Sequence, residues 1–140
     1  MTTESIVYGC IQHLPFGDPV ARQASCMHNR RVLRALPSVE VDSLFYRELF
    51  AVQAPLDKQS LRTQVIHFGG SYEGVEYEWG HWIRQFEQLL KDMYWVSAVV
   101  HLETELYGNH SFNWQAAEAY HAPGEAPLQV RCEWAREGLV

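Results

Sequence analysis

The segment Tyr94–Gln115, YWVSAVVHLETELYGNHSFNWQ, carries the strongest structural pattern of this chain. It begins as an apolar run, then alternates between apolar and polar residues, turns near Gly108-Asn109 and alternates again. A period of two places successive side chains on opposite faces of a β-strand. The segment therefore predicts a β-hairpin with one apolar face and one polar face.

The register of this hairpin follows from the positions of its apolar residues. A two-residue loop at Gly108-Asn109 would place Glu105 opposite Phe112, and a slip of one residue turns every side chain to the other face. A loop of three or five residues instead places Leu102 on the same face as Phe112. We therefore predict a loop with an odd number of residues, with Gly108 or Asn109 at positive φ.

With this register, the polar side chains of the hairpin form one continuous surface. We expect Trp95 and Val99 to give the same surface an apolar end. An aromatic residue beside charged residues is a common composition for a protein-binding patch. The residues that we expect to contact a partner are His101, Glu103, Glu105, Asn113, Gln115, Arg131 and Glu133.

The remaining elements predict an α+β fold. Asp18-Pro19 has the composition of a helix start, with Asp18 as N-cap, and Gly69-Gly70-Ser71 is expected to end a strand. In chain order we predict a strand over 5–12, a helix from Asp18 to about Leu36, one short helix over 44–51 in otherwise irregular chain, a strand over 62–69, a helix over 74–93, the hairpin, and a strand over 127–134. This order favours a largely antiparallel four- to five-stranded sheet with the helices packed on one face. The length suits a single globular domain over residues 1–140.

The net charge of −6 is distributed unevenly along the chain. Residues 1–62 hold seven basic and six acidic residues, whereas residues 63–140 hold four basic and eleven acidic residues. Nucleic-acid binding depends on neutralising phosphates, which an acidic half does not do. Such a half attracts a basic protein surface. We therefore predict a protein partner and no nucleic acid, although the arginines at 22, 30, 31 and 34 leave phosphate contact open as an alternative.

The cysteines and the apolar runs predict a cytoplasmic location. Cys10, Cys26 and Cys132 are an odd number, lie far apart and form no CxxC pair, so they fit a reducing compartment. Glu4 lies where a signal peptide needs positive charge. No apolar run reaches the roughly 20 residues of a membrane helix, and we expect no membrane association.

The pattern His101-x-Glu103-x-Glu105 also suggests a metal site or a carboxylate pair. Successive outward residues of a strand lie about 6.6–7 Å apart, so the outer two are too far apart to share an ion. A further histidine, such as His67 or His110, would have to converge on them. Acid–base work by two carboxylates needs a partly dry site, which an exposed sheet face does not provide. We therefore expect no metal, no cofactor and no catalytic residue.

In size, acidity and lack of a catalytic signature, the chain resembles the small immunity proteins that bacteria pair with secreted toxins. The resemblance is one of type and is carried by no diagnostic motif. It implies tight, non-catalytic binding that blocks the active site of a toxin, with acidic residues against a basic cleft. The sequence leaves open a monomer or an obligate homodimer that uses the same sheet face or an edge strand. The alternative is a small enzyme or ligand-binding protein with a pocket between sheet and helices near Trp79, His81 and His101.

Overall fold

The computed structural model describes residues 3–39, 44–52, 62–125 and 135–137, which form two α-helices and a six-stranded antiparallel sheet. The predicted α+β class, with helices packed against an antiparallel sheet, is confirmed. The strand order across the sheet is β2-β3-β1-β4-β5-β6. The elements are β1 (Glu4–His13), α1 (Pro19–Arg34), a 3₁₀ turn (Arg47–Leu49), β2 (Phe50–Val52), β3 (Gln64–Glu73), a second 3₁₀ turn (Val75–Glu78), α2 (Trp79–Lys91), β4 (Ser97–Thr104), β5 (Asn109–Gln115) and β6 (Ala135–Glu137).

The strand β1 lies at the centre of the sheet and fixes which face becomes the core. Val7 lies opposite Leu102 of β4, and Ile11 lies opposite both Ile66 of β3 and Ala98 of β4. Because the apolar residues of neighbouring strands coincide in this register, one face of the sheet is apolar across several strands. We call this the inner face.

The helix α2 covers the inner face with aromatic side chains. Trp82 and Phe86 are fully buried, with ring centroids 5.4 Å apart, and Trp79 stacks on Trp82 at 5.0 Å. Phe86 also meets Trp114 of β5 at 5.1 Å. Burial of such a side chain contributes roughly 1.5–3 kcal/mol. The predicted helix over 74–93 is confirmed over Trp79–Lys91, and the 3₁₀ turn Val75–Glu78 precedes it.

The helix α1 makes several side-chain hydrogen bonds to the rest of the fold. The Asn29 side chain donates to the carbonyl oxygen of Tyr94 at 2.8 Å and to Gln64 Oε1 at 3.1 Å, and its Oδ1 accepts from the Tyr94 amide at 2.8 Å. His13 Nε2 lies 2.8 Å from Ser25 Oγ, and both residues are buried. Buried polar groups with partners avoid the penalty of desolvation, so these contacts hold α1 against the sheet together with the buried side chain of Leu33.

The helix start and the hairpin register are confirmed. Asp18 caps α1 by accepting a hydrogen bond from the Ala21 amide at 2.8 Å. In the hairpin, the Thr104 amide donates to the Gly108 carbonyl oxygen at 3.1 Å. The loop is therefore three residues long, 105–107, and Gly108 adopts a φ of 78°.

Two predicted elements are wrong. The strand β3 continues through Gly69-Gly70-Ser71 to Glu73, because β1 pairs with it along this whole length. The predicted helix over 44–51 is instead a 3₁₀ turn followed by the edge strand β2. There Phe50 lies opposite Phe68 of β3, and the rings are 5.4 Å apart, so packing against the sheet overrides the helical pattern. The predicted strand over 127–134 lies outside the described residues.

Gly9 marks a close approach between β1 and β4. A Cβ at this position would overlap the carbonyl oxygen of Val99 and lie 2.8 Å from Phe68 Cζ. We expect Gly9→Ala to lower the free energy of unfolding by at least about 2 kcal/mol, measured by urea denaturation, because strand and ring must both move.

Gly69→Ala is the matched control for this substitution. A Cβ at Gly69 would lie 3.5 Å from its nearest neighbour, the Cβ of Tyr8, which is an ordinary contact. Its expected effect is within about 0.5 kcal/mol. If Gly9→Ala and Gly69→Ala lowered the free energy of unfolding equally, the close approach at Gly9 would be contradicted.

Burial of His13 predicts a loss of stability in acid. Burial lowers the pKa of His13 from its ordinary 6.5 to about 4. Between these values the unfolded chain binds a proton that the folded chain does not, so stability falls as the pH falls through this window, by up to roughly 3 kcal/mol. We expect His13→Gln to flatten the dependence of the free energy of unfolding on pH between 7 and 4.5.

The control is His67→Gln, which removes an exposed histidine from β3. This variant should keep the pH dependence of the wild type. If His13→Gln and the wild type gave parallel curves, burial of a neutral His13 would not be the cause of the acid sensitivity.

Candidate functional site

The face of the sheet opposite the helices is covered by none of the described elements. Both helices and the buried core lie on the inner face. On the other face, Ile6 and Tyr8 are each 40% exposed even though β1 is a central strand. We call this surface the outer face. Its residues are Glu4, Ile6, Tyr8, Cys10 and Gln12 of β1, Val65, His67, Gly69, Ser71 and Glu73 of β3, Ser97, Val99, His101 and Glu103 of β4, and Asn109, Ser111, Asn113 and Gln115 of β5.

Four carboxylates gather at one end of the outer face. Glu4 lies directly opposite Glu73, and the Glu4 amide donates to Glu105 Oε1 at 3.2 Å. Glu103 lies two residues before Glu105, opposite Ile6. We call Glu4, Glu73, Glu103 and Glu105 the acidic row. The outward positions of β1, β3, β4 and β5 include no lysine or arginine.

Two members of the acidic row occupy positions that disfavour pairing of their strands. Like charges directly opposite each other on neighbouring strands are destabilising, and Glu4 and Glu73 are such a pair. Among the described residues, none forms an ion pair with these carboxylates. The stability of the fold therefore gives no reason for the four carboxylates to lie together.

The centre of the outer face is a rigid polar and aromatic group. His101 Nδ1 lies 2.7 Å from Ser111 Oγ on the neighbouring strand, and the His101 ring lies 4.9 Å from the ring of Tyr8. The three residues lie on β1, β4 and β5 in one line across the sheet. Because strands hold all three, the group has little conformational freedom to lose on binding.

The structure places most of the predicted contact residues together. The residues on the outer face are His101, Glu103, Asn113 and Gln115. Glu105 begins the loop at the acidic end of this face. Arg131 and Glu133 lie outside the described residues.

The predicted apolar end at Trp95 is wrong. Trp95 is fully buried, its Nε1 donates to the Leu90 carbonyl oxygen at 2.7 Å, and its ring stacks on His121 at 5.2 Å. The reason is that β4 begins at Ser97, so Trp95 precedes the alternating part of the strand.

Sequence reasoning missed the contribution of β1 and β3 to this surface. Glu4, Ile6 and Tyr8 alternate with Ser5 and Val7, which is a readable signal that they share one face of a strand. Their position beside His101 and Glu103 depends on the order of strands in the sheet. Periodicity within one strand does not contain that information.

The alternative prediction of a pocket between sheet and helices near Trp79, His81 and His101 is wrong. Trp79 packs in the core on the helix side, His81 is exposed on α2, and His101 belongs to the outer face. The three side chains therefore do not converge. A cavity of about 390 Å³ lies elsewhere, beside α1 and β2, and its lining contains no histidine: Arg30, Leu33, Arg34, Arg47, Glu48, Phe50 and Val52.

Neither a cluster of metal-binding side chains nor a helix that could cross a membrane occurs among the described residues. No group of three His, Cys, Asp or Glu side chains there is arranged to hold a metal ion. No helix there has the length and apolar composition to cross a membrane.

No protein-family model, no curated protein and no solved structure matches the chain.

Repulsion in the acidic row predicts that Glu73→Lys raises stability. The new ammonium group would lie opposite Glu4, which replaces a repulsive pair by an attractive one. We expect a gain of roughly 0.5–1 kcal/mol in the free energy of unfolding at low salt, and a smaller gain in 0.5 M NaCl because salt screens exposed charges.

Glu118→Lys changes the charge equally in an exposed loop after β5 and is the control. If Glu118→Lys raised the free energy of unfolding by the same amount, the cause would be the change in net charge and not the repulsion within the acidic row.

Proposed function

We propose that the chain is a non-catalytic binding protein, of the type of a bacterial toxin-neutralising immunity protein, that holds a basic protein surface against its outer face. The observation that supports this most strongly is the acidic row on an open sheet face with no lysine or arginine at the outward positions of β1, β3, β4 and β5. Carboxylates that lie close together repel each other in the free protein. A cationic partner neutralises them, and relief of this repulsion adds to the favourable free energy of binding.

The chemistry of the outer face suits protein recognition. Ile6 and Tyr8 provide exposed apolar and aromatic area beside the carboxylates, and aromatic residues dominate the energetics of interfaces. His101 is fixed by Ser111, so it offers a directional polar contact. The acidic row accelerates encounter with a basic surface by electrostatic steering.

The size of the outer face agrees with a protein contact. Ten residues of β1 extend roughly 33 Å, and four strands about 4.8 Å apart cover roughly 19 Å, which gives roughly 600 Å². A stable interface of standard size takes about 800 Å² from each partner. The partner is therefore expected to contact neighbouring loops as well.

The proposal includes the cytoplasm as the location of the chain. Cys10 and Cys26 are free thiols, which suits a reducing compartment.

Reversal of two charges in the acidic row tests the proposal. The partner is first captured from the cells that produce this protein and purified, and its affinity is then measured by titration calorimetry. We expect Glu103→Lys with Glu105→Lys to weaken binding at least roughly tenfold, because close charge pairs across interfaces contribute about 1.5 kcal/mol or more each. The affinity of the wild type should fall with added salt.

The matched control is Glu118→Lys with Glu125→Lys, which changes the net charge equally at exposed positions outside the strands. This variant should bind within about twofold of the wild type. If the two double variants bound equally well, or lost affinity equally, the outer face would not be the contact surface.

A further inference from the structure

Two exposed tyrosines and a leucine form a second surface feature beside the acidic end of the sheet. Tyr77, Leu106 and Tyr107 are 65%, 62% and 50% exposed. Tyr77 comes from the 3₁₀ turn before α2, and the other two come from the loop of the β4–β5 hairpin. The two tyrosine rings meet edge to face, with centroids 6.0 Å apart and their hydroxyl oxygens 3.4 Å apart. We call Tyr77 and Tyr107 the tyrosine pair.

The backbone under the tyrosine pair is fixed by hydrogen bonds. The Tyr107 amide donates to Thr104 Oγ1 at 2.9 Å, and Thr104 Oγ1 donates to the Gly108 carbonyl oxygen at 2.8 Å. His110 Nε2 lies 2.9 Å from the Tyr107 carbonyl oxygen. On the other side, the Tyr77 amide donates to the Gly74 carbonyl oxygen at 3.1 Å. The fixed backbone and the contact between the two rings restrict these side chains before any partner binds, which lowers the entropic cost of contact.

The surroundings of the tyrosine pair are negatively charged. Glu105, a member of the acidic row, begins the loop that holds Tyr107. The hydrogen bond to Tyr107 raises the pKa of Tyr77 above its ordinary value, and the negative charge of Glu76 adds to this shift. Aromatic ring faces are themselves negative, so they attract a cation.

We infer that the tyrosine pair is an anchor for an arginine side chain of the basic partner. A guanidinium group is planar and weakly hydrated, so it stacks on aromatic faces while it bonds to carboxylates. The inference rests on the proposed function and extends it from the outer face to the hairpin loop. Glu105 joins the two surfaces, because it belongs to the loop and also accepts the Glu4 amide. This loop adds contact area where the outer face alone is smaller than a standard interface.

An arginine peptide tests the anchor without knowledge of the partner. The probe is a fluorescein-labelled hexa-arginine peptide, and its affinity for the full chain is measured by fluorescence anisotropy at low salt. We expect Tyr77→Ala with Tyr107→Ala to weaken binding roughly 3- to 10-fold, as loss of exposed cation–π contacts predicts. Tyr77→Phe with Tyr107→Phe should recover most of that loss, because the rings remain.

The matched control is Phe16→Ala with Tyr120→Ala. These residues form another partly exposed ring pair, with centroids 4.1 Å apart, outside the acidic row and the hairpin loop. Their removal should leave the peptide affinity unchanged, and circular dichroism should show that every variant is folded.

The outcomes separate this inference from the proposed function. If Glu103→Lys with Glu105→Lys weakened peptide binding while the alanine pair at Tyr77 and Tyr107 bound as wild type, the anchor would be wrong and the acidic face would stand. If the phenylalanine pair lost as much affinity as the alanine pair, the rings would not be the contact. If the wild-type chain did not bind the peptide, the arginine anchor would be wrong, while the proposed function would be decided by the effect of the double charge reversal on the captured partner.

Discussion

The register of β4 against its two neighbours is the constraint on which the rest of the molecule depends. Val100 lies opposite Gly9 of β1 and Phe112 of β5, and therefore belongs to the core. His101, the next residue, belongs to the outer face. A slip of one residue would bury His101 and expose Val100. The missing side chain at Gly9 permits the close approach of β1, and the loop 105–107 fixes β5.

The two faces of the sheet have opposite physical characters. On the inner face, the stacked rings of Trp79, Trp82 and Phe86 gain free energy from burial. On the outer face, Glu4 and Glu73 lie directly opposite each other, where like charges disfavour strand pairing. Local conflict with stability is a feature expected of functional surfaces. The aromatic core provides the stability that tolerates this repulsion.

The groups on the outer face and its adjoining loop are held by hydrogen bonds. His101 Nδ1 lies 2.7 Å from Ser111 Oγ on the neighbouring strand, and Thr104 Oγ1 bonds the loop at Tyr107 and Gly108. The proposed recognition of a basic surface needs fixed groups and complementary charge. The strands and the turn fix the groups, and the acidic row supplies the charge.

The sequence by itself determined the features that arise from neighbours along the chain. Alternation set the hairpin register, apolar spacing set α2, and Asp18 set the start of α1. Only the tertiary structure decided which strands lie side by side. It placed β1 between β3 and β4, which brought Glu4 to Glu73, and it turned the segment around Phe50 into an edge strand. Periodicity is a local property of the chain, whereas strand order follows from packing between residues that are distant in sequence.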